Sequence, residues 1–341
     1  MEKPIVLQMG DDIRWNLQQY DDFKLKFEIR RSFSMPRPEF IQALKNKTFG
    51  EFFAIYRPYW NTGGEVGNWD EELISLLPDS CKIIASAGAG FDWVDTECLA
   101  RKGVTYCNSA AACTESVADA GLWLIISTFR LFSWSALAAR SGVPEQFSDV
   151  HNNLAAVTRN PNGFTLGIIG YGRIGRRIAE KAHAALNMKI LYHDIVEIPS
   201  PVPAAYHKNM DTLLAEADCV LLAAPYSQKT LIDEATLSKM KKGARLVNIA
   251  RGKLIDENAL VSALKSGQIY SAGLDVHFDE PNVNKELIKM RNVELLSHNA
   301  GASLDSHIGF ARLGMENIVS FSETGKAVSP VNAHFIEQSR L

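Results

Sequence analysis

Leu166-Gly-Ile-Ile-Gly-Tyr-Gly-Arg-Ile-Gly175 is an apolar run that ends in three spaced glycines, and Asp194 closes a second run, Lys189-Ile-Leu-Tyr-His193, 19 positions after Gly175. A strand, a glycine turn, a helix opening near Gly172 and a second strand ending in a carboxylate form a dinucleotide-binding fingerprint. Each glycine has a separate task. Gly170 permits the tight turn, Gly172 lets the backbone approach a pyrophosphate, and Gly175 lets the helix pack closely on the strand. The helix N-terminus then offers N–H donors and the positive end of a dipole to phosphate. Asp194 accepts hydrogen bonds from ribose hydroxyls and repels a 2'-phosphate, which predicts NAD. NADP stays open as the alternative, because Arg173 and His193 lie close to that carboxylate in sequence.

The 341 residues suffice for two domains, each with its own core. With 36 basic and 39 acidic residues the net charge is -3, which leaves no basic footprint for nucleic acid. The longest apolar stretch, around residues 118–132, is interrupted by Asp119, Ser127 and Thr128 and falls short of the roughly 18 to 20 residues of a membrane span. The chain opens Met1-Glu-Lys-Pro directly before a strand, without the pattern of a secretory leader. Five cysteines, Cys81, Cys98, Cys107, Cys113 and Cys219, contain no CxxC pair, so neither a metal site nor a disulfide framework is expected. A cytoplasmic protein is the expectation, with Ser339-Arg340-Leu341 offering a peroxisomal address as the alternative.

Short apolar strands alternate with helical segments throughout, the pattern of α/β architecture with parallel sheets. A first series places strands at 5–9, 52–56, 82–85 and 104–107, with helices at 39–45 and 70–77. A second series places strands at 166–170, 189–193, 219–224, 245–249, 271–276 and 293–296. One long helix over 114–140, capped by Thr114 and Glu115, joins the two series. The polar stretch 141–163, with Pro144 and Pro161, reads as a surface excursion that could serve as an oligomer arm, and a last helix over 305–323 is expected to return to the first domain.

Three groups follow strands of the second series, at the sheet edge where ligands bind in open parallel sheets. Arg251 has a planar fork that captures a carboxylate and a fixed charge that polarises a carbonyl. Glu280 and His298 supply a carboxylate and an imidazole. Hydride reduction of a ketone needs a proton donor for the developing alkoxide, and histidine serves in both directions. A carboxylate on its other nitrogen fixes the tautomer. His277, His193 and His183 are competitors for the proton role.

Taken together, Ser86-Ala-Gly-Ala-Gly-Phe-Asp92, Asn108-Ser109, Thr114-Glu-Ser-Val-Ala-Asp119, the fingerprint with Asp194, residues 225–230, Asn248-Ile-Ala-Arg-Gly252, residues 275–281 and 298–303 resemble the D-isomer-specific 2-hydroxyacid dehydrogenases. The likeness covers nearly the whole chain and is strongest to the fungal D-mandelate dehydrogenase-like branch. It implies a Rossmann dinucleotide-binding domain (116–305) inserted in a flavodoxin-like substrate domain (1–115 and 306–341) that closes over it, in a homodimer. It also implies that Arg251 binds and polarises the 2-oxo acid, that His298 is the acid/base and that Glu280 orients it. Further cofactor contacts are implied for Arg173, Ile174, Ala224, Pro225, Thr230, Ile249, Ala250 and Gly301, with Asp275 approaching the nicotinamide. Ala87, Gly88 and Ala89 would hold the substrate carboxylate through their backbone. His277-Phe278-Asp279 departs from the family's more common filling between Asp275 and Glu280. Formate dehydrogenases of the superfamily carry Gln in place of the Glu, so Glu280 argues against that activity.

The loop 56–64, Tyr-Arg-Pro-Tyr-Trp-Asn-Thr-Gly-Gly, follows a strand of the first series and is rich in aromatics. Tyr56 and Arg57 are therefore expected to help select a bulky aromatic or branched 2-oxo acid. A glyoxylate/hydroxypyruvate reductase is the alternative, and an NAD-sensing corepressor-type binding protein is the rival outside enzymes.

Overall fold

The computed structural model describes residues 2–338, so the Ser339-Arg340-Leu341 tripeptide lies outside the described residues. The chain divides into two compact units, Met1–Cys113 with Ala302–Leu341, and Thr114–Gly301. In the first unit the order is β1 (Ile5–Met9), α1 (Leu17–Lys26), β2 (Glu28–Ser32), α2 (Arg37–Lys45), β3 (Ala54–Arg57), α3 (Glu71–Ser75), β4 (Ile83–Ser86), α4 (Thr96–Arg101) and β5 (Thr105–Cys107). The strands run parallel in the order β2-β1-β3-β4-β5, the flavodoxin-like arrangement.

The second unit takes up α5 (Ala110–Arg130), whose first turn still belongs to unit 1, then α6 (Phe132–Arg140), α7 (Pro144–Val157), β6 (Thr165–Ile169), α8 (Arg173–Leu186), β7 (Lys189–His193) and β8 (Ala204–Tyr206). It continues through α9 (Met210–Glu216), β9 (Cys219–Leu222), α10 (Glu234–Lys239), β10 (Ala244–Asn248), α11 (Glu257–Ser266), β11 (Ile269–Leu274), α12 (Lys285–Ile288) and β12 (Val293–Leu295). Seven parallel strands are ordered β12-β11-β10-β9-β6-β7-β8. The chain reverses its direction of travel across the sheet between β6 and β9, which creates the crevice that doubly wound sheets use for ligands. The strands β6, β9 and β10 are buried almost throughout, as expected for a parallel sheet covered by helices on both faces.

The expected long helix over 114–140 is two helices. Leu131 adopts a left-handed backbone (φ 52°), which no α-helix continues through, and α6 starts afresh after it. Thr114 lies inside α5 rather than at its cap, because the helix begins at Ala110. By length and composition α5 is apolar enough to cross a membrane, and part of it is buried in unit 2. Leu124, Ile125 and Phe129 are fully buried, and a Cβ on Gly121 would press on Ile178 of α8. Its polar face pairs Glu115 with Arg177 and Asp119 with Lys181. Residues 141–163, expected as an excursion, contain α7, with Pro144 at its first turn, where the missing N–H costs nothing.

The last long helix, α13 (Leu304–Thr324), packs on β3 and β4, and α14 (Ala333–Gln338) follows it. Gly314 of α13 leaves room for the Tyr56 ring, whose hydroxyl donates to the Ala311 carbonyl at 2.7 Å. Tyr56 is fully buried, so it is a core residue of unit 1 and not a substrate contact. That burial brings its own constraint, since a buried phenol needs the partner α13 provides.

All five cysteines are free and buried. Burial pushes the thiols of Cys81, Cys107 and Cys219 up to about 12 and that of Cys113 up to about 11, and it also raises Cys98. A raised thiol pKa keeps the nucleophilic thiolate scarce. A disulfide reagent at pH 8 should therefore leave the native protein unlabelled on the scale of minutes and titrate five thiols after urea unfolding; rapid native labelling would contradict the burial.

Candidate active site

The glycine turn follows β6 and the Ala224-Pro225 turn follows β9, on either side of the topological reversal. Gly170 has φ 93°, and a Cβ there would collide with the Ala224 backbone. A Cβ on Gly175 would overlap the Gly170 carbonyl oxygen, whereas a Cβ on Gly172 would meet nothing within 4 Å. The outer two glycines thus close the turn, and the middle one faces open space at the cap of α8. That space is where a pyrophosphate would meet the helix N-terminus, beside the N–H groups of Arg173 and Ile174. Asp194 accepts from Tyr171 N and from Ile195 N, each at 2.7 Å. Each carboxylate oxygen keeps a lone pair for a ribose hydroxyl. The residues present fit a nicotinamide dinucleotide.

Of the other expected cofactor contacts, Ile249 and Ala250 follow β10, Gly301 ends unit 2, and Thr230 is exposed with its hydroxyl on the Lys253 carbonyl at 3.3 Å.

The catalytic candidates arrive from three adjacent strands. Arg251 follows β10, Asp275 follows β11 and His298 follows β12. The ladders continue past the strand ends, because Asp275 N donates to Asn248 O at 2.9 Å and His298 N donates to Asp275 O at 2.7 Å. The Asp275 Oδ1 accepts from Asn299 N at 2.9 Å and from Ala300 N at 3.1 Å. Asp275 is 2% exposed, and burial raises its carboxyl pKa while the Asn299 hydrogen bond opposes the rise. One carboxylate therefore shapes the turn that carries His298, a non-glycine residue held at φ 51°.

His298 Nδ1 lies 2.6 Å from Glu280 Oε2, and Glu280 Oε1 accepts from His277 N at 2.9 Å. A carboxylate only accepts, so the pairing places the ring proton on Nδ1 and leaves Nε2 to exchange a proton. The His298 side chain is 43% exposed and that of Glu280 34%. The competing histidines are committed elsewhere. His277 is buried with Nε2 on the Leu296 carbonyl at 2.7 Å, His193 Nδ1 lies against the His207 carbonyl at 2.8 Å, and His183 Nδ1 against the Met188 carbonyl at 3.2 Å.

Arg251 is set by a partner whose role sequence reasoning missed. The fully buried Asn248 donates from Nδ2 to Arg251 O at 2.8 Å and accepts from Ala250 N at 3.0 Å. Arg251 Nη1 donates to the Ala250 carbonyl at 2.7 Å. A Cβ on Gly252 would overlap the His277 carbonyl, so the next residue must be glycine for the β10 and β11 loops to meet. An amide ending an apolar strand, with glycine four positions later at Gly252, was the available signal.

In unit 1, Ala87, Gly88 and Ala89 follow β4. Ala87 N donates to Arg57 O at 2.9 Å, which removes it from the set of carboxylate donors. Among the described residues no acceptor pairs with the N–H of Gly88 or Ala89. Arg57 donates to Trp60 O at 2.6 Å and Thr62 O at 3.2 Å and lies over Trp93 at 5.2 Å, while burial lowers its pKa. Tyr59 is buried with its hydroxyl receiving Arg14 N, and Trp60 is 40% exposed.

A parallel sheet with a dinucleotide cradle at its reversal and an imidazole–carboxylate pair at the same edge defines an oxidoreductase that works on a nicotinamide cofactor. The family described as D-isomer specific 2-hydroxyacid dehydrogenase, NAD binding domain, matches residues 122–300. The holo crystal structure of Rhodotorula graminis D-mandelate dehydrogenase is 41% identical, covers 97% of this chain and 98% of its own, and superposes with a TM-score of 0.94. The 4-methyl-2-oxopentanoate reductase A of Aspergillus oryzae is 36% identical over 298 residues, 86% of this chain and 88% of that protein. The glyoxylate reductase of Pyrococcus horikoshii is 37% identical over 273 residues, 79% of this chain and 81% of its own. The chain belongs to the D-isomer-specific 2-hydroxyacid dehydrogenase family, and its second unit is the NAD-binding domain of that family.

Gly252→Ala should lower the unfolding free energy by about 3 kcal/mol, the scale of a backbone clash in a packed region. Urea unfolding checks this, and an unchanged midpoint would show that the β10 and β11 loops have room to separate.

Proposed function

We propose that the chain reduces a 2-oxo acid with a bulky aromatic or branched side chain to the D-2-hydroxy acid, using Arg251, His298 and Glu280. The observation that carries this reading is the 2.6 Å contact between His298 Nδ1 and Glu280 Oε2, made on turns that two adjacent strands fix. Bound in the cradle, the nicotinamide dinucleotide supplies the hydride. The Arg251 guanidinium takes the 2-oxo acid and polarises its carbonyl. His298 gives a proton from Nε2 to the forming alkoxide, and Glu280 holds the ring in the tautomer with its other proton on Nδ1. In the oxidative direction the same nitrogen takes the proton. Asp194 favours NAD, with NADP as the alternative. In unit 1 the N–H groups of Gly88 and Ala89 suit a substrate carboxylate, Arg57 braces the 60–62 loop, and Trp60 offers the exposed aromatic wall.

Two relatives support a bulky side chain, since one is named for mandelate and another for 4-methyl-2-oxopentanoate. The glyoxylate reductase similarity supports a small substrate as the second reading. Purified protein supplied with NADH or NADPH should turn over phenylglyoxylate, phenylpyruvate and 2-oxoisovalerate faster than glyoxylate or hydroxypyruvate. The reverse order would replace the first reading with the second. His298→Asn should lower kcat by about 10²–10⁴-fold and leave NADH binding within a factor of about two; an equal loss of both would make His298 structural.

The proposed homodimer uses the α6–α7 face, where Leu137 is 68% and Phe147 57% exposed beside a groove that includes Val150 and Leu154. Light scattering should give twice the chain mass, and Phe147→Glu should halve it. A wild-type mass of one chain would end this proposal. The cytoplasm is the proposed compartment, in keeping with five buried thiols and no disulfide.

A further inference from the structure

Arg245 stands at the start of β10, and it is 6% exposed. Its guanidinium carbon lies 3.8 Å from the centre of the Phe129 ring, 5.4 Å from Tyr270 and 5.9 Å from Phe164. Among the described residues it forms no ion pair, and its Nε is buried without a hydrogen-bond partner. Burial lowers its pKa, the direction expected for a cation removed from water before a counter-charge is supplied. Stacking on Phe129 engages the face of the guanidinium and leaves the N–H donors of its edge unmet.

That side chain lines a cavity of about 500 Å³ within unit 2. The charged residues lining it are Arg159, Lys241, Lys242 and Arg245 against the single carboxylate of Asp218. Asp218 is already committed, with Oδ1 at 2.9 Å from Lys241 Nζ and Oδ2 receiving Thr165 N at 2.9 Å. Arg159 and Lys242 are exposed at the mouth. The cavity sits where parallel strands begin, with Thr165 opening β6, Asp218 preceding β9 and Tyr270 near the start of β11. The dinucleotide cradle, Arg251 and His298 all follow strand ends, on the opposite edge of the same sheet.

We propose that this cavity is a binding site for a small multivalent oxyanion, of the phosphate or the di- and tricarboxylate class, with Arg245 as its buried anchor and Arg159 and Lys242 as its outer contacts. Its volume falls in the range of small-molecule sites. An oxyanion supplies acceptors to the guanidinium edge and the counter-charge this cluster lacks. Because the site lies at the opposite strand ends, a dinucleotide in the cradle does not occupy the same space.

Calorimetry and thermal unfolding with inorganic phosphate and, in a separate arm, citrate test the proposal, at constant ionic strength and with saturating NADH. Saturable binding that raises the unfolding temperature is expected from at least one anion, and the tighter of the two identifies the class. The exposed pair Arg159→Gln with Lys242→Gln should weaken the dissociation constant at least tenfold, and Arg245→Met should abolish binding. If Arg245→Met does not fold, the double variant decides. Absence of saturable binding by either anion, equal binding in wild type and double variant, or displacement of the anion by NADH would each overturn the proposal.

Discussion

The site depends on one constraint: the ends of β10, β11 and β12 must stay in register beyond the last residue of the sheet. Two backbone hydrogen bonds do this, from Asp275 N to Asn248 O and from His298 N to Asp275 O. They convert three separate loops into a continuation of the ladder. Asn248 fixes the Arg251 turn at one end, and Asp275 fixes the His298 turn at the other. Without that stitching, an imidazole and a carboxylate 18 residues apart in sequence would have no reason to meet at 2.6 Å. Sites carried on the ends of rigid strands hold their geometry better than sites carried on free loops.

The same need for close approach explains where glycine is indispensable. Gly170 and Gly175 let β6, α8 and the Ala224 turn converge, and Gly252 lets the β10 and β11 loops touch. At these three positions a methyl group would meet backbone, which cannot move aside as a flexible side chain would. Gly172 differs because its surroundings are open, which suits a residue whose neighbour is a ligand. The glycine fingerprint thus combines two kinds of constraint, packing at its flanks and access at its centre.

Much of this was legible in sequence because parallel strands covered on both faces read as apolar runs. β1, β6, β7 and β12 fall where those runs are, and the edge residues that follow β10, β11 and β12 include Arg251, Glu280 and His298. The misses have separate physical causes. β2 (Glu-Ile-Arg-Arg-Ser) and β8 (Ala-Ala-Tyr) are edge strands that bury little, so neither shows an apolar run. The break at Leu131 is a left-handed turn at a residue type that gives no warning of it. Tyr56 looked like a pocket aromatic, because periodicity places it at a strand end without revealing that α13 returns from 255 residues later to cover it. Asn248 and Asp275 look like ordinary strand-end polar residues; their roles arise from backbone donors that only the folded loops bring to them.

Asp275 shows how a buried charge is kept for geometry. Its folded pKa lies above the unfolded value, so the native state binds a proton more tightly than the unfolded chain does. By linkage, the destabilising cost of that carboxylate applies above the raised pKa and is relieved as pH falls through it. Acid therefore does not unfold the protein through Asp275, and above its raised pKa the protein carries the cost of a buried anion. Its return is orientation: the ionised oxygen is the stronger acceptor for Asn299 N and Ala300 N, and those two bonds hold the turn that keeps His298 at a positive φ. A neutral residue at this position would relieve the burial cost and loosen the imidazole, so stability and positioning oppose each other at Asp275, as they commonly do where a fold builds an active site.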